Sequence, residues 1–288
     1  MINTDFILRL MELSDIGSAM KLSIAEGWNQ TENDWKRLIE NPENVCMVAE
    51  CDNKIIGTTT AINYVNQVAW IGMVLVDKEY RGGGVSKSLL THLFERLESC
   101  KSVKLDATPE GQRVYKKFDF KDEYFIARMA NSSMKDLPSD DDNDILPEPI
   151  LSKNLQKVIA LDELIFGANR TWLIESLVKE YPEKAWLLKR NDRITGFALG
   201  RDGNKYRQIG PVMASTITDA KILISKALKK LVNQHIIVDV LCDKEDIINW
   251  LNSIGFIKQR HFIRMYKREN PFPGITGKQY LICGPEFG

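Results

Sequence analysis

Six residues, Arg81-Gly82-Gly83-Gly84-Val85-Ser86, constrain this chain more than any other feature. They follow an apolar run, Ala69 to Val76, that reads as a buried strand. They open an amphipathic stretch, Lys87 to Cys100, that reads as a helix. A strand, a glycine-rich turn and a helix start, in that order, build an anion site. Glycine tolerates the backbone that lets successive N–H groups converge, and the helix N-terminus adds unsatisfied donors and a positive dipole end. The ligand of such a cradle is a phosphate or diphosphate. It is not the dinucleotide turn, because Lys87 stands where GxGxxG needs its third glycine, and the chain contains no GxxxxGK[ST].

A second feature stands downstream at a telling distance. A strand from Val103 to Ala107 leads to Pro109, which opens a short helix, and then to Val114-Tyr115-Lys116-Lys117-Phe118-Asp119-Phe120. The turn matches Arg-x-x-Gly-x-small and the later segment matches a tyrosine followed by Gly-Phe, so the chain resembles the GCN5-related N-acetyltransferases (GNAT). The resemblance implies that Arg81, Gly82, Gly83, Gly84, Val85 and Ser86 bind the diphosphate of acetyl-CoA. It also implies that backbone groups of Val74, Leu75 and Val76 pair with the pantetheine arm, and that Tyr115 protonates the leaving thiolate. Thr108 occupies a position where that family often has a cofactor-touching asparagine. Asp119 replaces the family's glycine, which requires the left-handed conformation that Asp can visit.

Thioester aminolysis needs a polarised carbonyl, a deprotonated amine and a protonated leaving group. Asp106 at a strand end and Glu26 beside Trp28 are the candidate bases. Trp28, Asn29, Gln30 and Trp70 are the candidate acceptor pocket, the aromatic faces suiting a cationic amine. The plain alternatives are that both carboxylates are structurally paired and both tryptophans pack in the core. His92, His235 and His261 are given no catalytic part.

The chain carries 39 basic and 39 acidic residues, which offers no electrostatic case for nucleic acid or an anionic membrane. No apolar run approaches the roughly 20 residues that span a bilayer. The segment Met1 to Asp5 lacks a cationic stretch with an apolar core behind it, and the five cysteines form no CxxC pair. These features predict a cytoplasmic protein with reduced thiols and no metal framework. The acidic run Asp140 to Asp144 lacks the spacing of a calcium loop.

Residues 131–149, rich in Asp, Ser and Pro, read as a linker between a catalytic domain, 1–130, and a second domain, 150–288. The second half repeats the first. Asp52-Asn53-Lys54-Ile55-Ile56-Gly57 corresponds to Asn191-Asp192-Arg193-Ile194-Thr195-Gly196, Ile71-Gly72 to Ile209-Gly210, and Asp119-Phe120 with Arg128-Met129 to Gly255-Phe256 with Arg264-Met265. The fold class is therefore α/β, a mixed sheet in two copies. The second copy has Ser215-Thr216-Ile217-Thr218 where the glycine turn should be, and Leu251 in the place of Tyr115.

The whole chain resembles a tandem GNAT subgroup that pairs a catalytic domain with a degenerate one. That likeness rests on Gly27-Trp28-Asn29-Gln30-Thr31, Leu105-Asp106-Ala107-Thr108-Pro109, Phe166-Gly167-Ala168-Asn169-Arg170 and Gly284-Pro285-Glu286-Phe287-Gly288. It implies an acetyl-CoA-dependent N-acetyltransferase acting on a small amine, with a non-catalytic acyl-CoA sensor as the alternative. The tail after Lys278 is expected to pack beside the first copy's cleft, and the second copy to bind no cofactor.

Overall fold

A computed structural model describes residues 5–133 and 145–288. The acidic run Asp140 to Asp144 lies outside them. The first copy runs β1 (Ile7–Leu10), α1 (Ile16–Ala25), α2 (Glu32–Glu40), β2 (Val45–Cys51), β3 (Lys54–Tyr64), β4 (Val68–Val76), α3 (Val85–Arg96), β5 (Ser102–Ala107), α4 (Pro109–Lys116) and β6 (Lys121–Asn131). The second runs β7 (Glu148–Pro149), α5 (Ser152–Phe166), α6 (Thr171–Glu180), β8 (Trp186–Arg190), β9 (Arg193–Arg201), β10 (Arg207–Ala214), α7 (Ile217–Lys229), β11 (Ile236–Leu241), α8 (Glu245–Ser253), β12 (Ile257–Arg268) and β13 (Gln279–Leu281). The expected linker is partly structured at its ends. Asn131 closes β6, and Glu148-Pro149 pair with Leu187 and Trp186 at the sheet's outer edge, where a proline costs no ladder bond.

Local chemistry explains the element boundaries. The β2–β3 turn places Asp52 and Asn53 at φ of +49° and +60°, and the β8–β9 turn places Asn191 and Asp192 at the same two angles. These are the two-residue hairpin geometries that Asn and Asp accept most readily. Thr31 and Asp34 cap α2 reciprocally, and Thr108 Oγ1 accepts the Gly111 N–H at 3.1 Å to start α4 behind Pro109. Asp119 adopts φ +66°, the left-handed conformation its place in the motif demands.

All thirteen strands of the described residues join one sheet, in the order β1-β2-β3-β4-β5-β12-β6-β11-β13-β10-β9-β8-β7. The two copies exchange the strands that follow α4 and α8, β6 and β12. β12 of the second copy lies beside β5 of the first, β6 of the first lies beside β11 of the second, and the exchanged strands pair with each other. The cores follow the exchange. Ile263 and Met265 of β12 join the cluster under α3 with Leu89, Leu93 and Leu105, and Ala127 and Met129 of β6 join the cluster under α7 with Leu223 and Val238. On the opposite face a third cluster merges the copies, with Trp35 and Leu38 of α2 packed in one core with Phe166 of α5 and Leu173 of α6. No helix among the described residues is long and apolar enough to cross a membrane.

Two salt bridges fasten the exchange. Arg264 of β12 donates to both oxygens of Asp106 on β5, at 2.8 and 2.9 Å, and Arg128 of β6 donates to both oxygens of Asp239 on β11, at 2.7 and 2.8 Å. The repeat places these residues equivalently, so each exchanged strand is locked to the other copy by the same bidentate pair. A guanidinium fork fits a carboxylate in this way with little reorganisation.

Candidate active site

β4 and β5 pair in parallel only from Val68 to Ile71, opposite Ser102 to Leu105. Beyond Ile71 the strands separate. β4 remains paired to β3, where a register shift opposite Thr58 to Thr60 accommodates Met73 at φ +52°. Thr58 Oγ1 donates to the Met73 carbonyl at 2.7 Å and fixes this bulge. Val74, Leu75 and Val76 therefore present a strand edge with no neighbouring strand on the β5 side. An edge of this kind offers backbone donors and acceptors to an extended ligand.

The glycine turn stands at the end of that edge. Gly82 and Gly84 take φ of +83° and +85°, and Gly84 is the N-cap of α3 without any side-chain acceptor for the helix's first N–H groups. Val85 is buried under Gly57, so it can contribute only its backbone. A groove of about 490 Å³ connects Arg81, Gly82, Gly84 and Ser86 with Val74, Val76, Thr108 and Tyr115. Free helix donors, a left-handed glycine turn and an open strand edge along one groove fit the diphosphate and amide-bearing arm of an acyl-CoA.

The groove continues into a cavity of about 130 Å³ bounded by Trp28, Gln30, Met73, Thr108, Tyr115 and Phe262 among others. Tyr115 and Thr108 border both spaces. Tyr115 packs its ring against Phe120, centroids 5.8 Å apart, and burial raises its hydroxyl well above the ordinary tyrosine value. It keeps its proton across the neutral range, the state a general acid needs. Gln30 is 5% exposed, and its Oε1 is buried without a hydrogen-bond donor.

Four residues expected at the site from sequence are held by other partners. Asp106 is held bidentately by Arg264; burial pushes its carboxyl up while the guanidinium pulls it down. The second copy keeps the equivalent pair, Asp239–Arg128, so Asp106, which borders the cavity, is also part of the strand lock. Glu26 accepts from Arg81 at 2.6 Å and lies 3.7 Å from Lys78, so it orients the turn's arginine at the groove's far end. Asn29 accepts the N–H groups of Lys205 and Tyr206 at 3.0 and 2.9 Å and donates to the Tyr206 carbonyl, tying the copies together. Trp70 is fully buried, donates to the Pro285 carbonyl at 2.9 Å and stacks beneath Arg264. It is a core residue.

Sequence reasoning missed the cavity's far wall. Arg128, Arg260 and Phe262 come from the two exchanged strands, and Pro285 and Glu286 come from the tail. The pairing of Arg128-Met129 with Arg264-Met265 in the repeat was a usable signal for the strand lock, but nothing local marks Arg260. The tail closes over the first copy as expected. Tyr64 donates to the Phe287 carbonyl at 2.7 Å, Arg170 to the Gly288 carbonyl at 2.8 Å, and Glu286 pairs with Arg201, which also holds Asp34 at 2.9 Å.

The second copy has the same splay between β10 and β11, which pair in parallel only over Arg207–Ile209, but β13 fills it. Leu281 pairs with Val212 on one side and Val240 on the other. Thr216 caps α7 with its own side chain, accepting the Asp219 N–H at 3.1 Å, and Leu251 is buried.

The profile described as "Acetyltransferase (GNAT) family" matches residues 14–120, and that described as "Acetyltransferase (GNAT) domain" matches residues 158–281. A holothin acyltransferase of Pseudoalteromonas sp. (strain SANK 73390) is 26% identical over 270 residues, covering 92% of this chain and 89% of that protein. A candidate acetyltransferase of Pyrococcus horikoshii superposes with a TM-score of 0.80 at 21% identity, covering 98% of this chain and 96% of the other. A tandem GNAT protein from the clavulanic acid biosynthesis pathway superposes at 0.63 with 9% identity, over 91% and 98% of the two chains.

Proposed function

Since the chain belongs to the GCN5-related N-acetyltransferase superfamily and holds two copies of its domain, we propose that the first copy acetylates the primary amine of a small molecule from acetyl-CoA. One observation carries this reading: the glycine turn, the free edge of β4 and Tyr115 border a single groove that opens into a side-chain-lined cavity. The holothin acyltransferase, by its name, transfers an acyl group, and its likeness over most of both chains supports acyl transfer here.

Bound acyl-CoA supplies an activated thioester. The donors at the start of α3 and Arg81 hold the diphosphate, and the β4 edge beyond the Met73 bulge orients the pantetheine arm. Gln30 Oε1 accepts an N–H of the entering amine. With Glu26 and Asp106 both engaged in ion pairs, the amine reacts from its free-base fraction, passing its proton to water. Tyr115 donates its proton to the departing thiolate. A non-catalytic acyl-CoA sensor would need the groove but not a tyrosine on the cavity wall. Balanced charge and five free thiols support a cytoplasmic enzyme working without nucleic acid, membrane or metal. The test is thiol release from acetyl-CoA by purified protein against an amine library. Release that depends on one class of amine is expected; tight CoA binding without release from any amine would favour the sensor.

A further inference from the structure

The cavity wall carries four charged side chains, Asp106, Arg128, Arg260 and Glu286. Three are neutralised by buried partners: Asp106 by Arg264, Arg128 by Asp239 and Glu286 by Arg201. Arg260 has no carboxylate within salt-bridge distance among the described residues. It is half-buried on exchanged strand β12, opposite Arg128 and beside the Phe262 ring, its guanidinium carbon 5.7 Å from the ring centre. Burial and Arg128 lower its affinity for its proton by more than Asp239, Tyr206 and Glu110 raise it, so the site holds a cation at a net electrostatic cost. On the same cavity Gln30 and Glu286 each carry a buried acceptor without a donor, Oε1 and Oε2 respectively. Buried polar groups left unmatched in a cavity describe the ligand that would match them.

We propose that the amine acceptor also bears a carboxylate, which Arg260 binds while Gln30 receives the amine. The inference rests on the acyltransfer reading for the identity of the cavity. The acceptor class is then an amino acid or a compound with that pair of groups. A charge-assisted guanidinium–carboxylate contact in a partly desolvated site discriminates the acid from its neutral amide by roughly tenfold to a hundredfold.

The test compares the standard amino acids with their carboxamides, by calorimetric binding in the presence of CoA and by thiol release from acetyl-CoA. At least one acid should bind about tenfold or more tightly than its amide. In Arg260→Gln that ratio should fall to near one with CoA affinity unchanged, and Arg260→Lys should restore part of it. Arg260 has no salt-bridge partner among the described residues to orphan, so the variants should fold, which the unchanged CoA affinity verifies. Equal binding of acid and amide, binding of neither, or retained discrimination in Arg260→Gln overturns the proposal. So does a loss in Arg260→Gln confined to CoA affinity, which would assign the residue to the cofactor. Discriminating binding without thiol release would instead sink the acyltransfer reading and leave the carboxylate site standing.

Discussion

At the scale of single residues, Tyr115 and Gly84 separate chemistry from architecture. Tyr115 packs on Phe120, so Tyr115→Phe preserves the ring contact and deletes only the hydroxyl. Loss of a general acid typically costs about 100-fold or more in rate. We expect that loss in kcat, with acetyl-CoA affinity unchanged; full activity where chemistry limits turnover would exclude the role. The pH profile follows from the same residue. Burial raises the Tyr115 hydroxyl, so its acid form persists past the ordinary tyrosine value of about 10. With Glu26 and Asp106 both held in ion pairs, kcat/KM should climb with the free-amine fraction and show no alkaline fall below about pH 10. A bell centred near neutrality would mean that another group titrates. Gly84 is at φ +85° with open space where a Cβ would point. Gly84→Asp therefore strains the turn and sets a negative charge at the anion cradle, and CoA affinity should fall by at least about tenfold. Calorimetry of a folded variant with wild-type affinity would refute the loop assignment.

Among the elements, those with local causes were legible and those with distant causes were not. The hairpin turns, the glycine turn and the Thr108 cap each depend on residues within one short segment. The left-handed Asp119 could be named in advance because a single motif position requires it. The ion pair of Asp106 could not be read, because its partner Arg264 is 158 residues away on a strand from the other copy. Asn29 and Trp70 looked like pocket walls because sequence shows polarity and size, whereas their partners, Tyr206 and Pro285, arrive by tertiary packing. The tail was read as a docked terminus. Its depth was not foreseen: β13 is a strand of the sheet, so removing everything after Lys278 would open the second copy rather than trim an ornament. A milder probe is Phe287→Ala. Phe287 is fully buried among Trp35, Leu38 and the stacked guanidinium of Arg201, 5.2 Å from its ring centre. Truncating a core phenylalanine costs about 3–5 kcal/mol. Chemical denaturation should show a loss of that size, and a change below about 1 kcal/mol would mean that the tail contributes little to the joint core.

At the level of the whole molecule, duplication has become interdependence. Without β12, the first copy would leave β5 as an exposed edge and α3 without Ile263 and Met265 beneath it. Without β6, the second would lose its partner to β11 and the Arg128 that neutralises buried Asp239. A lone buried carboxylate is costly, roughly 3–5 kcal/mol when one partner of such a pair is removed, and an open edge invites pairing with another chain. The halves 1–133 and 145–288, made separately, should therefore aggregate or self-associate through the vacant strand positions. Made together, they should copurify in equal amounts, because each supplies the strand the other lacks, and the pair should regain CoA binding. The regained stoichiometry should be one CoA per pair, since β13 occupies in the second copy the gap that stays open in the first. A monomeric, cooperatively folding 1–133 that binds CoA as tightly as the full chain would show that the exchange is dispensable. Two CoA molecules per full-length chain would show that β13 yields its place to a ligand.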